Sequence, residues 1–225
     1  CIGCACAVCS STDPRNKRLR CAAWVKSAET SLLIDAGPDF RAQMLRAGVP
    51  RLDGVFLTHY HADHVYGIDD VRRFNYVQRQ VIDCFADRGT LDRMERCFDY
   101  IFNSTLKAGL PSLKANAIRA GQPVVVGDLR VEPLDLDHHS MPSLGLLIGR
   151  VGEGRDGKSG PRLAYCVDCK RMSEETLARI RGVEVLVLDM LRPAPHPTHL
   201  NLEEALALVE RIRPGRTFFS HMAHE

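Results

Sequence analysis

Apolar residues along this chain fall into short runs separated by polar or glycine-containing turns, and the spacing switches repeatedly between a strand-like and a helix-like period. Short β-branched runs bounded by turn residues read as strands, whereas apolar residues at i, i+3 and i+4 read as helices. Cys21 to Lys26 and Ser31 to Ile34 therefore form a hairpin around Ser27-Ala28-Glu29-Thr30, and Asp39 to Ala47 forms a short helix closed by Gly48. Strands follow at Val55-Phe56-Leu57-Thr58 and at Gln80 to Phe85. Thr90 to Phe102 reads as a helix with Thr90 as N-cap, its stripe of Leu91, Met94, Phe98 and Ile101 belonging to the core. The second half predicts strands at Val124 to Val126, Leu129 to Leu136, Gly145 to Gly149, Arg162 to Val167, Val183 to Leu188 and Thr217 to Ser220. Helices Ser173 to Ile180 and Asn201 to Ile212 lie between them. Gly152 to Gly160 reads as a solvated hairpin loop, since no helix follows it to make a phosphate cradle. No linker interrupts the alternation, so the expectation is one α/β domain over residues 1–225.

Composition narrows this picture. With 225 residues and 45% hydrophobic content the chain can bury a sizeable core. A formal net charge of +2, without a basic tract, gives no electrostatic argument for extended nucleic acid. No apolar run approaches the roughly 20 residues that span a membrane. The chain starts at Cys1 and stops abruptly at Glu225, so we expect a domain trimmed at both ends. Four of the nine cysteines fall within the first nine residues and the others are scattered, which does not suit a disulfide framework and makes a reducing cytoplasm the simpler setting. Cys4-x-Cys6-x-x-Cys9 gathers three thiolates suited to a structural zinc that needs one further ligand.

The chemistry concentrates in His59-Tyr60-His61-Ala62-Asp63-His64, directly after the Val55 strand. Imidazole and carboxylate are ligands for zinc and similar divalent metals. A strand that ends there and turns into a helix would let His59 and His61 close on one cation while Asp63 and His64 close on another, roughly 3.5 to 4 Å away.

This string matches the signature of the metallo-β-lactamase superfamily, and further segments extend the resemblance. Ser31 to Gly37 resembles that superfamily's early strand ending in Asp-x-Gly, and Leu134 to Ser140 its third ligand segment. Leu163 to Asp168 resembles the strand of the bridging aspartate, and Phe218 to His221 that of the last histidine. The cysteine motif and the terminal His-x-x-His look most like the cyclic-phosphate phosphodiesterases of the carbon-phosphorus lyase pathway.

The resemblance implies a four-layer αββα sandwich and a dinuclear site. His59, His61 and His139 would hold the first metal, Asp63, His64 and His221 the second, and Asp168 would bridge them. His139 is preferred to its neighbour His138 because its spacing to Gly145 matches that of the phosphodiesterases. Cys4, Cys6, Cys9 and His224 would hold a structural zinc. His199 matches a histidine that is not a ligand and that could protonate the leaving oxygen or bind phosphate. Asp35 and Asp189 either orient ligand imidazoles or simply end their strands.

Two cations sharing a water lower its pKa towards neutrality, so attack on phosphorus needs no nucleophilic serine or cysteine. Cys166 and Cys169 have the C-x-x-C spacing of redox motifs, but the intervening Asp168 favours structural or incidental thiols. The active-site metals would be manganese or zinc, with iron also compatible. The expected substrate is a small cyclic phosphate or nucleotide-like phosphodiester, and a homodimer is compatible with the sequence. Arg18, Arg20 and a loop from Asp69 to Asn75 could supply cations near a phosphate, and Asn103 to Leu113 could form a lid. Rival readings are a ribonuclease Z-like enzyme, which would need a basic arm not visible here, a lactam or thioester hydrolase, and a non-catalytic metal-binding accessory protein.

Overall fold

The computed structural model describes residues 1–102, 109–139, 141–152 and 162–224. The expected Gly152–Gly160 loop, apart from Gly152, lies outside the described residues, as does most of the Asn103–Leu113 lid.

Among the described residues the strands form two mixed sheets. In the first, β1 (Ala23–Lys26) pairs antiparallel with β2 (Ser31–Ile34), which continues in parallel through β3 (Gly54–Phe56), β4 (Ile82–Ala86) and β5 (Leu113–Ala117). In the second, β6 (Val124–Val126), β7 (Leu129–His138), β8 (Met141–Arg150) and β9 (Leu163–Cys166) run antiparallel. β9 is then followed in parallel by β11 (Val185–Asp189) and β12 (Arg216–Ser220), while the short β10 (Arg171–Met172) pairs with the far end of β7.

Three separate cores establish the layering. Leu32, Ile34 and Phe56 of the first sheet pack against Val131, Leu146 and Tyr165 of the second, so the sheets lie face to face. Because side chains alternate along a strand, Leu33 and Val55 point the other way. They pack on Phe40 and Met44 of α1 (Phe40–Ala47) and on Leu91 and Met94 of α4 (Arg88–Cys97). On the opposite side Leu186 and Leu188 pack on Leu177 of α6 (Glu174–Ile180) and Ala205 of α7 (Leu202–Ile212). The order is therefore helix, sheet, sheet, helix.

Local chemistry fixes the element ends. Gly48 closes α1 in the left-handed conformation with φ 61°. Asn201 caps α7 reciprocally: its side chain accepts from Glu204 N at 2.8 Å and Glu204 Oε2 accepts from Asn201 N at 3.0 Å. The expected helix from Thr90 to Phe102 is corrected on two counts. Asp87 is the cap, accepting from Thr90 N at 3.1 Å, so Thr90 lies within the first turn. The helix also breaks at Phe98, whose ring meets the edge of Tyr66 at 5.7 Å, and a separate turn, α5 (Asp99–Phe102), follows. The stretch from Asp69 to Asn75 is not a loop: a 3-10 turn over Ile68–Val71 leads into α3 (Arg72–Gln78).

The consequence for function is a shared rim. The parallel strands β2, β3, β9, β11 and β12 end there, and the residues that follow or close them are Asp35, Thr58-His59, Asp168, Asp189 and His221. Clefts beyond the carboxyl ends of parallel strands are the usual place for ligands in α/β folds.

Candidate metal centre

The candidate ligands sit where strands stop or in the short helix that follows β3. Asp35, Asp168 and His221 have φ of 61°, 51° and 59°, the left-handed region that costs a non-glycine residue energy and clusters at functional sites. His61 caps α2 (Ala62–Val65), whose first turn carries Asp63 and whose last turn carries His64. This turn packs closely on the Asp35 loop: Ala36 N donates to His64 O and Gly67 N to Ala36 O, both at 2.7 Å. A Cβ on Gly37 would lie 2.0 Å from the Asp63 carbonyl oxygen, so only glycine permits this approach.

Two sets of donors converge. His59, His61, His138 and Asp168 form one, and Asp63, His64 and His221 the other, while an overlapping third group joins Asp168 and His221 to His199; the donor atoms within each group lie within 4.8 Å of one another. Asp168 touches both. Its Oδ2 lies 3.4 Å from His59 Nε2, 3.3 Å from His64 Nε2 and 3.7 Å from His138 Nε2, and its Oδ1 lies 3.1 Å from His221 Nε2. Asp63 Oδ2 stands 3.9 Å from His64 Nε2 and 4.0 Å from His221 Nε2.

His138, not His139, enters the cluster, which corrects the expected ligand. β7 runs two residues further than its apolar run suggests, and His138 keeps the buried parity of Leu134 and Leu136 while Asp135 and Asp137 face solvent. His139 lies beyond the strand, exposed, with φ 66° and its N–H donated to Asp137 Oδ1. The alternation in Leu-Asp-Leu-Asp-His was itself the signal that a family spacing overrode.

The surrounding hydrogen bonds set the imidazoles for cation binding. His59 Nδ1 meets Thr58 Oγ1 at 3.0 Å, His64 Nδ1 meets Asp35 Oδ2 at 2.8 Å, and His138 Nδ1 meets the Thr198 carbonyl at 3.0 Å. In each case Nε2 is left for the cluster, as in carboxylate-histidine-metal arrangements. Asp35 thus orients an imidazole, while Thr58 and the Thr198 carbonyl act in ways that no motif disclosed. His64 Nε2 and Asp168 Oδ1 are buried without a hydrogen-bond partner.

The charges point the same way. Burial holds the His59 pKa down at about 2 and lowers that of His138, leaving both neutral with free lone pairs. For His64 burial also opposes protonation, but Asp35 and Asp168 outweigh it and raise the pKa to about 11. That field favours positive charge at this point, which suits a metal as well as a proton. Burial works to raise the Asp168 pKa, yet His64, His221 and His59 hold it far below the usual carboxylate range. The residues present therefore fit divalent cations.

His199, largely buried, donates from Nδ1 to Asp189 Oδ2 at 2.9 Å, and its ring stacks 4.7 Å from that of His221. Burial lowers its proton affinity but Asp189 more than restores it, so its pKa is raised. A cavity of about 310 Å³ opens on this cluster, with Tyr60, Met141 and Thr198 in its wall beside the histidines.

A second cluster joins Cys4, Cys6, Cys9 and His224. His224 Nδ1 is 3.6 Å from Cys4 Sγ and 3.4 Å from Cys6 Sγ, and the hydrogen bond to His224 helps pull the Cys6 thiol down to about 6. Arg18 reinforces the junction by donating to the Ala223 carbonyl at 2.8 Å. Arg20 lies at the rim, 3.5 Å from Asp63 Oδ2, whereas Arg72 pairs with Asp69 and neither it nor Arg73 is among the described residues lining the cavity at the histidine cluster. All nine cysteines are free, and burial pushes the Cys166 thiol to about 12 and Cys169 well above its ordinary value, which disfavours the reactive thiolate at both.

Residues 30–222 match the family described as the β-lactamase superfamily domain. The chain belongs to that superfamily. Among solved structures of the superfamily fold, a diphosphatase from the PhnP family is 30% identical with a TM-score of 0.86, the match covering 99% of this chain and 80% of that one. An octanoyltransferase from Porphyromonas gingivalis is 33% identical over 99% of this chain but 43% of its own length. A ribonuclease Z from Gemmatimonas aurantiaca is 31% identical over 60% of this chain and 42% of its own. The chain thus spans less than half of these two relatives, and the cysteine loop and His224 fall outside the superfamily match. Among the described residues no helix is long and apolar enough to cross a membrane.

Proposed function

We propose that this chain is a metal-dependent phosphodiesterase that hydrolyses a small cyclic phosphate or nucleotide-like phosphodiester. The observation that carries the reading is the Asp168 carboxylate, which reaches histidines of both ligand sets beside the Asp189-oriented His199. His59, His61 and His138 would hold one divalent cation, Asp63, His64 and His221 a second, and Asp168 would contact both. Manganese or zinc suits these nitrogen and oxygen donors, and the cysteine cluster with His224 suits a structural zinc. When bound, the pair would supply an activated water and offset charge on the phosphoryl oxygens.

The remaining work falls to the chain itself. Asp189 fixes the His199 tautomer and keeps a proton on the ring, so Nε2 can donate it to the departing alkoxide. Buried His59 and His64 keep solvent from the floor of the cluster. The 310 Å³ cavity is at the small end of ligand pockets, which favours a compact diester over a long chain.

The test is turnover of bis-p-nitrophenyl phosphate, 2′,3′-cyclic nucleotides and ribose cyclic phosphates by metal-stripped protein reloaded with manganese or zinc. We expect metal-dependent hydrolysis of at least one cyclic diester, abolished by Asp168→Ala. Silence across the panel with both cations demonstrably bound would refute the proposal.

A further inference from the structure

A cavity of about 680 Å³ lies on the first sheet, away from the metal ligands. Its walls come from α3, the turn into β4, and the segment Gly109–Ser112 before β5. It therefore sits at the amino-terminal ends of parallel strands, whereas His59 follows the carboxyl end of their neighbour β3. A five-residue strand such as β4 separates the two ends by roughly 17 Å.

The floor of this cavity is fixed. Buried Asn75 donates to the Gln80 and Ser112 carbonyls, each at 2.9 Å, and accepts from Ser112 N at 3.0 Å, tying the turn to the segment before β5. Val81 and Leu110 give it apolar wall, and Tyr76 stands 77% exposed with the Arg73 guanidinium 5.4 Å from its ring centre. Arg79 also lines it, and among the described residues no carboxylate does. Arg72 is paired with Asp69 at 3.1 Å, but among the described residues neither Arg73 nor Arg79 has an ion-pair partner.

An apolar ligand would not call for two guanidinium groups that have no ion-pair partner among the described residues, and a bare anion would not call for an exposed ring between aliphatic walls. A ring with an arginine over it, flanked by further positive charge, is the combination that stacks a base and holds its phosphate. We infer that this cavity binds a nucleoside phosphate, the base against Tyr76 and Val81 and the phosphates toward Arg73 and Arg79. The volume falls within the range of small-ligand pockets. This inference does not depend on the proposed phosphodiesterase activity.

The experiment is calorimetric titration of the metal-loaded protein with ADP, and with adenosine for comparison. Saturable ADP binding in the micromolar to low millimolar range is expected, with adenosine at least about tenfold weaker. Arg73→Glu and Tyr76→Ala, both at exposed side chains, are each expected to weaken ADP at least about tenfold while leaving Tm and bound-metal content unchanged. ADP binding unaffected by either variant would place the nucleotide elsewhere and overturn the inference, as would no saturation up to about 5 mM. Loss in the arginine variant alone would mark an anion site without base recognition and would equally overturn it.

Discussion

Asp189 is fully buried, and its Oδ2 is shared between His199 Nδ1 at 2.9 Å and Cys169 N at 3.0 Å. Asp189→Asn keeps the shape but removes the charge that holds the His199 proton. It is expected to lower kcat by about 10²-fold on diesters with alkoxide leaving groups and far less with p-nitrophenolate, which needs no proton. Equal losses on both would mean that Asp189 only supports the fold. Among ligands, His138→Ala is expected to remove one cation per molecule by elemental analysis and to cost at least about 100-fold in activity, while His139→Ala leaves both intact. The other candidate ligands that the structure brings together, from His59 to His221, could be picked out in the sequence because imidazole and carboxylate follow apolar strands or open the short helix after one. His138 was legible too, through strand parity, although the spacing to Gly145 points to His139 instead. Thr58 and the Thr198 carbonyl were not legible, since a hydroxyl or backbone oxygen carries no mark of the ring it will meet.

Elements behave likewise. The first hairpin is held to the second sheet by Asp128, whose Oδ1 accepts from Ser27 Oγ at 2.5 Å and Thr30 Oγ1 at 2.6 Å. These bonds lower the Asp128 pKa from 3.8, so their contribution is present above that value and is lost as pH falls through the lower folded value. Thermal melts should show Asp128→Asn less stable than the parent at pH 7, with the gap closing below about pH 4. A gap that stays constant to pH 3 would assign the effect to packing. The close approach of Gly37 to α2 is less forgiving. Gly37→Ala is expected to lose about 1–3 kcal/mol in urea unfolding, together with cation affinity at the Asp63 set, because the Cβ displaces the turn that carries those ligands. Strands and capped helices were readable from period and punctuation. β5, with its single leucine and exposed edge, was not, and the helical α3 was missed because charged residues break its apolar stripe.

At the scale of the whole molecule, residues 4–9 are joined to residue 224, three positions beyond His221. Removing the metal expected there should therefore be felt at the active site. Cys6→Ser is predicted to lose one zinc and to lower Tm by roughly 3 °C or more, equivalent to about 1 kcal/mol. It should also weaken the cation held by His221, and a drop in Tm with unaltered active-site affinity would show that the two regions are uncoupled. Alternation sends one face of each sheet inward and the other against helices, but period and punctuation alone implied only an α/β domain, and the αββα order was anticipated from the superfamily resemblance. What alternation could not announce is the backbone at the rim, where Asp35, Asp168 and His221 all turn left-handed. Asparagine tolerates that conformation at least as readily as aspartate, whereas alanine does so poorly. Asn at 35 or 168 would thus subtract charge while leaving the path of the chain alone, and Ala would subtract charge and bend the path together. Variants drawn from the first kind would read out chemistry, and those from the second would read out chemistry and folding mixed.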